Sequence, residues 1–165
     1  MIDQEKEKEK LDIPSKDIYR TKDIDGLIKF SLKKQIENVC GKYGYVLEDS
    51  VSIVKRSIGK IVTHNGISNI EYNITYKMDS IYPCKGDIYE AVVDSITKMG
   101  LISYLKLESD KFNSVKESPV LIIVPQMYLD KDLDSYVKNQ KIKIEVLDKR
   151  VKYRAKQIQV VGKIV

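Results

Sequence analysis

The chain has a single histidine, His64, and two cysteines, Cys40 and Cys84, among 165 residues. A lone histidine leaves no partner for a triad or a histidine metal cluster. The cysteines stand far apart with neither CxxC spacing nor a histidine beside them, so they read as two reduced, packed thiols. There is no glycine-rich phosphate loop with its lysine, no HExxH, and no Ser or Cys beside a base. Catalysis, a metal site and a cofactor are therefore not expected. Asp130, Asp132 and Asp134 alternate in a polar connector but lack the Gly and distal Glu of a calcium loop, and read as a solvated helix start. No apolar run approaches the roughly 18 residues of a membrane-spanning helix. The first dozen residues alternate Glu and Lys with no apolar stretch behind them, so neither a signal peptide nor a membrane partner is expected, and the protein should be intracellular.

What is present is a globular balance, 42% apolar against 32% charged, enough for one ordinary domain or two small ones. The net charge is +5 and unevenly spread: from residue 136 onward nine Lys or Arg face two acids, which leaves the first 135 residues at −2. A basic last third suits a surface facing polyphosphate, while a lysine-rich solvated surface explains the same count.

Residues 1–14 carry few apolar side chains and read as a disordered or frayed lead-in. From Asp23 the apolar positions Ile24, Leu27, Ile28, Leu32, Ile36 and Val39 form the stripe of an amphipathic helix, with Gly41 as its stop. Strands are expected at 45–54, 59–62 and 67–78, the last alternating Ile70, Tyr72, Ile74, Tyr76 and Met78 against polar neighbours. A helix-on-antiparallel-sheet domain over 15–82 follows. Beyond Pro83 and Gly86, strands are expected at 87–96, 101–107, 120–124, 142–147 and 158–164, with a loop at 109–118 and a short helical piece after Pro125. Five short strands in that order make a five-stranded OB-fold (S1-like) barrel over 83–165, and the whole chain is α+β.

These pieces resemble a known family. Gly41, Lys42, Tyr43, Gly44 and Tyr45 follow the amphipathic helix, then come Gly59 to Val62, Asn65 with Gly66, Glu71 to Lys77, Tyr82 to Asp87, Met99 to Leu101 and a closing strand from Ile158. In that order and spacing they look like the stalk subunit of multisubunit DNA-dependent RNA polymerases, the seventh subunit in eukaryotes with its archaeal counterpart. The chain departs from the pattern where Glu90 and Ala91 replace an Asp-Gly pair, and no N-terminal opening strand is visible before Asp23. A short, lysine-rich member of this kind looks like one encoded by a large DNA virus, and a fast-evolving cellular parasite fits as well. Its place would be the viral factory or cytoplasm and the virion in the first case, and the nucleus in a eukaryotic cell.

The resemblance implies a non-catalytic subunit. Its N-terminal domain would dock on core polymerase subunits through Gly41, Lys42, Tyr43, Gly44, Tyr45, His64 and Asn65. An exposed Tyr on such a turn is a rigid anchor for a protein partner, and a plain turn with both tyrosines packed inward is the alternative. The family stalk pairs with a second small helical subunit, whose absence the missing N-terminal strand would suit. From the residues themselves, Lys149, Arg150, Lys152, Arg154 and Lys156 surround Tyr153 between the fourth and fifth barrel strands, with Lys98 between the first two. Cations neutralise phosphates and Tyr153 offers a base a stacking platform, which points to nascent single-stranded RNA. Tyr89 and Tyr104 would share the intervening face if their strand parity is outward. A free-standing single-stranded RNA-binding protein of translation or RNA decay is the alternative function.

Overall fold

The computed structural model describes residues 2–107 and 112–165. In chain order the elements are β1 (Ile2–Pro14), α1 (Ser15–Arg20), α2 (Ile24–Ile36), β2 (Cys40–Gly41), β3 (Gly44–Val46), β4 (Ser52–Arg56), β5 (Lys60–His64), β6 (Ile67–Ile81), β7 (Ile88–Thr97), β8 (Gly100–Leu105), β9 (Val120–Pro125), β10 (Lys141–Arg150) and β11 (Ile158–Ile164). Of the loop expected at 109–118, residues 109–111 lie outside the described residues. The chain divides into two compact units, Ile2–Asn38 with Val46–Ser80, and Val39–Tyr45 with Ile81–Val165.

In the first unit α2 begins where Asp23 accepts a hydrogen bond from the Gly26 amide at 2.9 Å, an N-cap that satisfies one orphan donor. Ile28, Leu32 and Ile36 form its buried stripe. The helix ends at Ile36 rather than at Gly41. Asn38 takes the left-handed conformation (φ 60°), and its amide turns to the Val46 carbonyl at 2.9 Å, so an asparagine does the work expected of the glycine. The expected strand at 45–54 is two strands, because Ser50 bonds back to the Leu47 carbonyl at 2.7 Å and closes a turn between β3 and β4. Strand β6 is the spine of this unit. It pairs with β1, and β4 and β5 run antiparallel to it. Tyr72, Ile74, Tyr76 and Met78 are all buried on its helix side, as the alternation requires.

Of the lead-in expected to be disordered over 1–14, Ile2–Pro14 is strand β1. Its period-two pattern is real, but its inward face carries Glu5, Glu7 and Glu9 before Leu11 and Ile13 become buried. Those carboxylates are answered by polar groups rather than by apolar packing. The Tyr76 hydroxyl donates to Glu7 and Glu9 at 3.4 and 3.2 Å, and the Gln35 amide of α2 donates to Glu9 at 3.0 Å. Burial pushes the Tyr76 phenol well above its ordinary pKa, and the two carboxylates add to the shift, so it stays a donor. The contacts run in opposite senses along the two strands, Ser15 to Ser68 and Glu9 to Tyr76, so β1 is antiparallel to β6. A strand before Asp23, not visible in the sequence, is therefore present.

In the second unit β10, β11, β9, β8 and β7 close into a barrel in that order. Every pairing is antiparallel except β9 with β11, which is parallel. Numbered within the barrel, the circuit is 1-2-3-5-4, the connectivity of an OB-fold, and the α+β class expected from the sequence is the class observed. Ala91, Val93, Leu101, Val120, Ile122, Val124, Ile144, Val146, Ile158 and Val160 fill the interior. Ser103 sits among them, and its hydroxyl lacks a hydrogen-bond partner among the described residues. The pattern reads easily because inward and outward residues alternate along each strand.

Candidate nucleic-acid interface

The connection from β10 to β11 is a short loop with three anchors. The Ala155 amide donates to the Lys152 carbonyl at 3.1 Å, closing a turn whose third residue, Arg154, has φ 63°. A positive φ on an arginine costs roughly 1–2 kcal/mol, so something must hold it. The Arg154 amide donates to the Cys40 carbonyl and the Cys40 amide donates to the Ala155 carbonyl, both at 2.7 Å, and this reciprocal pair supplies the restraint. At the loop's far end the Gln157 side-chain Nε2 donates to the Val115 and Ser118 carbonyls at 2.5 and 2.8 Å, and the Ile158 backbone amide donates to the Pro119 carbonyl at 2.8 Å. A backbone so tied fixes the points from which its side chains leave the loop.

Arg150, Lys152, Arg154 and Lys156 are exposed around it, and Tyr153 is 74% exposed with its ring free to stack. Arg150, Lys152, Ala155, Gln157 and Gln159 line a small surface notch at its side. Lys149 stands apart. Its ammonium lies 3.4 Å from the centroid of the Tyr82 ring and donates to the Pro83 carbonyl, so that charge is engaged within the unit. Lys98 is exposed but is not brought to this loop. Gly100 pairs with Pro125 at one end of β9, and Ile158 pairs with Val120 at the other. The two rims are thus separated by the length of that strand, about 17 Å at 3.3 Å per residue.

The face between the rims is aliphatic. Ile102, Leu121, Ile123 and Val161 point outward across β8, β9 and β11. Tyr104 is not among the exposed groups: it is only 6% exposed, and its hydroxyl donates to the Asn113 carbonyl at 2.9 Å. Its strand parity is outward, but its hydroxyl is tied to the Asn113 backbone and the side chain is buried. Tyr89 is half-buried with its hydroxyl on Asp87 at 3.1 Å.

The expected docking residues fall in different units. Gly41, Lys42, Tyr43, Gly44 and Tyr45 belong with the barrel, His64 and Asn65 with the helix-on-sheet unit. The first set forms a tight hairpin in which Cys40 pairs with Tyr45 and Gly41 with Gly44. Only Gly44 needs to be glycine: its φ is +99°, and a Cβ there would run into the Ile81 carbonyl oxygen, whereas Gly41 has ordinary torsions and open space. Tyr45 is buried at 4% exposure, whereas Tyr43 is half-exposed with the Lys42 ammonium 5.2 Å from its ring. His64 and Asn65 enter a two-residue hairpin turn whose central residues, Asn65 and Gly66, both have positive φ, the I′ geometry favoured by Asn-Gly. Along this hairpin lie three exposed isoleucines that the sequence does not single out: Ile67 beside the turn at 64%, Ile61 opposite Ile70 on the other face at 71%, and Ile58 before the far end of β5 at 91%. The sequence gives them no signal, because apolar residues along a hairpin look alike until the solvent exposure is known.

Among the described residues no group of three or more His, Cys, Asp or Glu could hold a metal ion, and no helix is long and apolar enough to cross a membrane. The class defined by these observations is an OB-type barrel unit carrying a rigid basic loop, in a chain with a helix-on-sheet unit. No protein-family model matches the chain. An 80-residue stretch is 32% identical to a Glycine max protein named DNA-directed RNA polymerase II subunit RPB7, covering 48% of this chain and 43% of that one. The matched stretch therefore spans less than half of that relative. Among solved structures, the uncharacterized protein MJ1198 from Methanocaldococcus jannaschii matches 52% of this chain and 96% of its own at 17% identity with a TM-score of 0.39, a likeness that adds nothing to the fold read from the strands.

Proposed function

We propose that the chain is a non-catalytic stalk subunit of a multisubunit DNA-dependent RNA polymerase, docking on the core enzyme and contacting nascent RNA during transcription. The observation that carries this reading is the 32% identity to subunit RPB7 over 80 residues. The barrel loop supports the RNA-contacting part: four exposed cations and an exposed Tyr153 on an anchored backbone suit weak, sequence-independent holding of a single strand. Arg150, Lys152, Arg154, Lys156 and Tyr153 are the main contacts in this reading, with Lys98 at the far rim and Lys149 supporting the loop. Moving RNA must be released at each step, and electrostatics with stacking allow that better than base-edge hydrogen bonds.

Docking is assigned to the exposed Lys42 and half-exposed Tyr43 of the tight hairpin, held by Gly41, Gly44 and the buried Tyr45, and to His64 and Asn65 with the exposed Ile67 beside them. The partners are core polymerase subunits, the transcript, and a second small stalk subunit where one exists.

The test is mild-salt affinity purification of the tagged chain from its native source, followed by mass spectrometry. Recovery of the large polymerase subunits in matched amounts is the expected result. Recovery of RNA or ribosomal proteins without them would overturn the polymerase assignment and leave a free RNA-binding protein.

A further inference from the structure

The sheet of the Ile2–Asn38 and Val46–Ser80 unit has one face under α2 and one without a helix. Alternation along the strands decides what the second face carries. On β6 the helix side takes Tyr72, Ile74, Tyr76 and Met78, so Glu71, Asn73, Thr75 and Lys77 face away. The ladder places Lys55 opposite Thr75, Ser52 opposite Lys77, and Lys60 opposite Glu71, all on the same side. On β1 Glu7 and Glu9 reach Tyr76 on the helix side, which turns Lys6, Lys8 and Lys10 outward; Lys10 accordingly lies 3.9 Å from Glu71. Six exposed lysines, at positions 6, 8, 10, 55, 60 and 77, thus share one face built from three neighbouring strand positions. The acids on that face stand toward its ends: Asp12, Glu71 beside Lys10 and Lys60, and Asp79.

Total charge conceals this surface, because the glutamates that balance the lysines of β1 point to the opposite face. Lysines on an edge strand often serve only to block strand pairing. That explains Lys6, Lys8 and Lys10 on β1, and Lys55 and Lys60 on β4 and β5, but not Lys77 on the central strand β6. Along β1 the ammonium groups repeat about every 6.8 Å, and three strands span about 10 Å, giving a flat patch near 14 by 10 Å. Among the described residues it offers no arginine fork, no exposed aromatic ring and no groove-entering element. Such a surface can attract phosphate but cannot stack a base or read an edge. With charge alone at work, the ligand with the densest line of charge is favoured, and a duplex carries one charge per about 1.7 Å, twice the density of one of its strands. Recognition of duplex RNA relies in addition on 2′-hydroxyl contacts across a groove, for which a flat lysine patch has little to offer.

We propose that the helix-free face of this sheet binds duplex DNA through its phosphates, without sequence preference, with Lys6, Lys8, Lys55 and Lys77 as its centre and Lys10 and Lys60 at its margin. The site is separate from the barrel loop and does not rest on the polymerase reading. Its test is fluorescence anisotropy of the whole chain against labelled duplex DNA, duplex RNA and a single-stranded oligouridylate over a range of KCl. Changing Lys6, Lys8, Lys55 and Lys77 together to Gln should flatten the duplex slope of log K against log salt by about 3 to 4, from about 0.9 per phosphate contact, and leave the oligouridylate slope in place. The same four positions changed to Arg should keep the duplex slope, which separates charge from any disturbance of the fold. A duplex slope untouched by the Gln variant overturns the proposal, as does tighter binding of duplex RNA than of duplex DNA. A wild-type chain that binds polyglutamate-coated beads but no duplex at low salt overturns it in favour of an acidic protein partner.

Discussion

If the loop between β10 and β11 holds single-stranded RNA, its salt dependence can be worked from the side chains left free. Of its five cations Lys149 is spoken for by the Tyr82 ring and the Pro83 carbonyl, which leaves Arg150, Lys152, Arg154 and Lys156. Four phosphate contacts on a single strand give a slope of log K against log salt of about −2.8, at about −0.7 each. Between 50 and 200 mM salt the affinity should then fall about 50-fold. Replacing Lys152, Arg154 and Lys156 by Ala leaves one contact, a slope near −0.7 and a fall of about threefold over the same range. The assay is anisotropy of a short labelled oligouridylate titrated at four or more salt concentrations, so that slopes are compared rather than single affinities. Lys149→Ala is the internal control. It should change the slope little, because its charge is already engaged. A slope unchanged by the triple substitution would remove this loop from the site, and a Lys149→Ala slope reduced by a full contact would refute the reasoning that set it aside.

Three further outcomes are expected. Gly44→Ala forces a Cβ into the Ile81 carbonyl oxygen at φ +99°, and should cost about 2–5 kcal/mol in urea unfolding from torsion and overpacking, while Gly41→Ala, in open space, should stay within about 0.5 kcal/mol; equal effects would contradict the geometry. Ser103→Ala removes a buried hydroxyl without a partner and should be neutral or stabilising by about 1 kcal/mol, so a clear loss in the same assay would reveal a hydrogen bond to ordered water. The Cys40 thiol is fully buried and pushed up to about 11 by burial, so at pH 8 a thiol reagent should modify exposed Cys84 alone until denaturant is added. Because only the unfolded chain readily ionises Cys40 between its ordinary value of 9.0 and about 11, stability should be lost as pH rises through that window and be insensitive to this group below it.

The barrel was legible because its strands bury one face in an apolar interior, and that alternation can be counted at positions such as Val93, Leu101, Ile122 and Val160. Strand β1 was not, because its inward residues include Glu7 and Glu9, which are satisfied by Tyr76 and Gln35, residues far away in sequence. A count of apolar residues sees only solvated charge there. The helix end was misplaced for a related reason: Asn38 adopts the left-handed conformation ordinarily assigned to glycine, and Gly41 lies beyond it. At the candidate site the sequence located the cations but not their engagements. Lys149 and Arg154 look alike in a charge count, yet one packs on Tyr82 while the other holds a strained turn. Tyr104 had the outward parity expected of a stacking platform and is buried all the same, because parity says which way a side chain leaves its strand and nothing about what covers it.

The Cys40 bridge gives the barrel unit one more property. Its reciprocal bonds to Arg154 and Ala155 tie the tight hairpin of Gly41 and Gly44 to the turn that displays Tyr153. Arg154 keeps its left-handed torsion only while the bridge persists, since an isolated arginine would relax toward negative φ at a gain of roughly 1–2 kcal/mol. A partner seated on Lys42 and Tyr43 would steady the hairpin, hence the bridge, hence the loop. Docking and RNA holding would then be coupled through two hydrogen bonds, and the coupling is bounded by the torsional energy they restrain. At that size it amounts to about a 5- to 30-fold change in loop affinity, enough to make RNA holding stronger with such a partner bound than in the free chain.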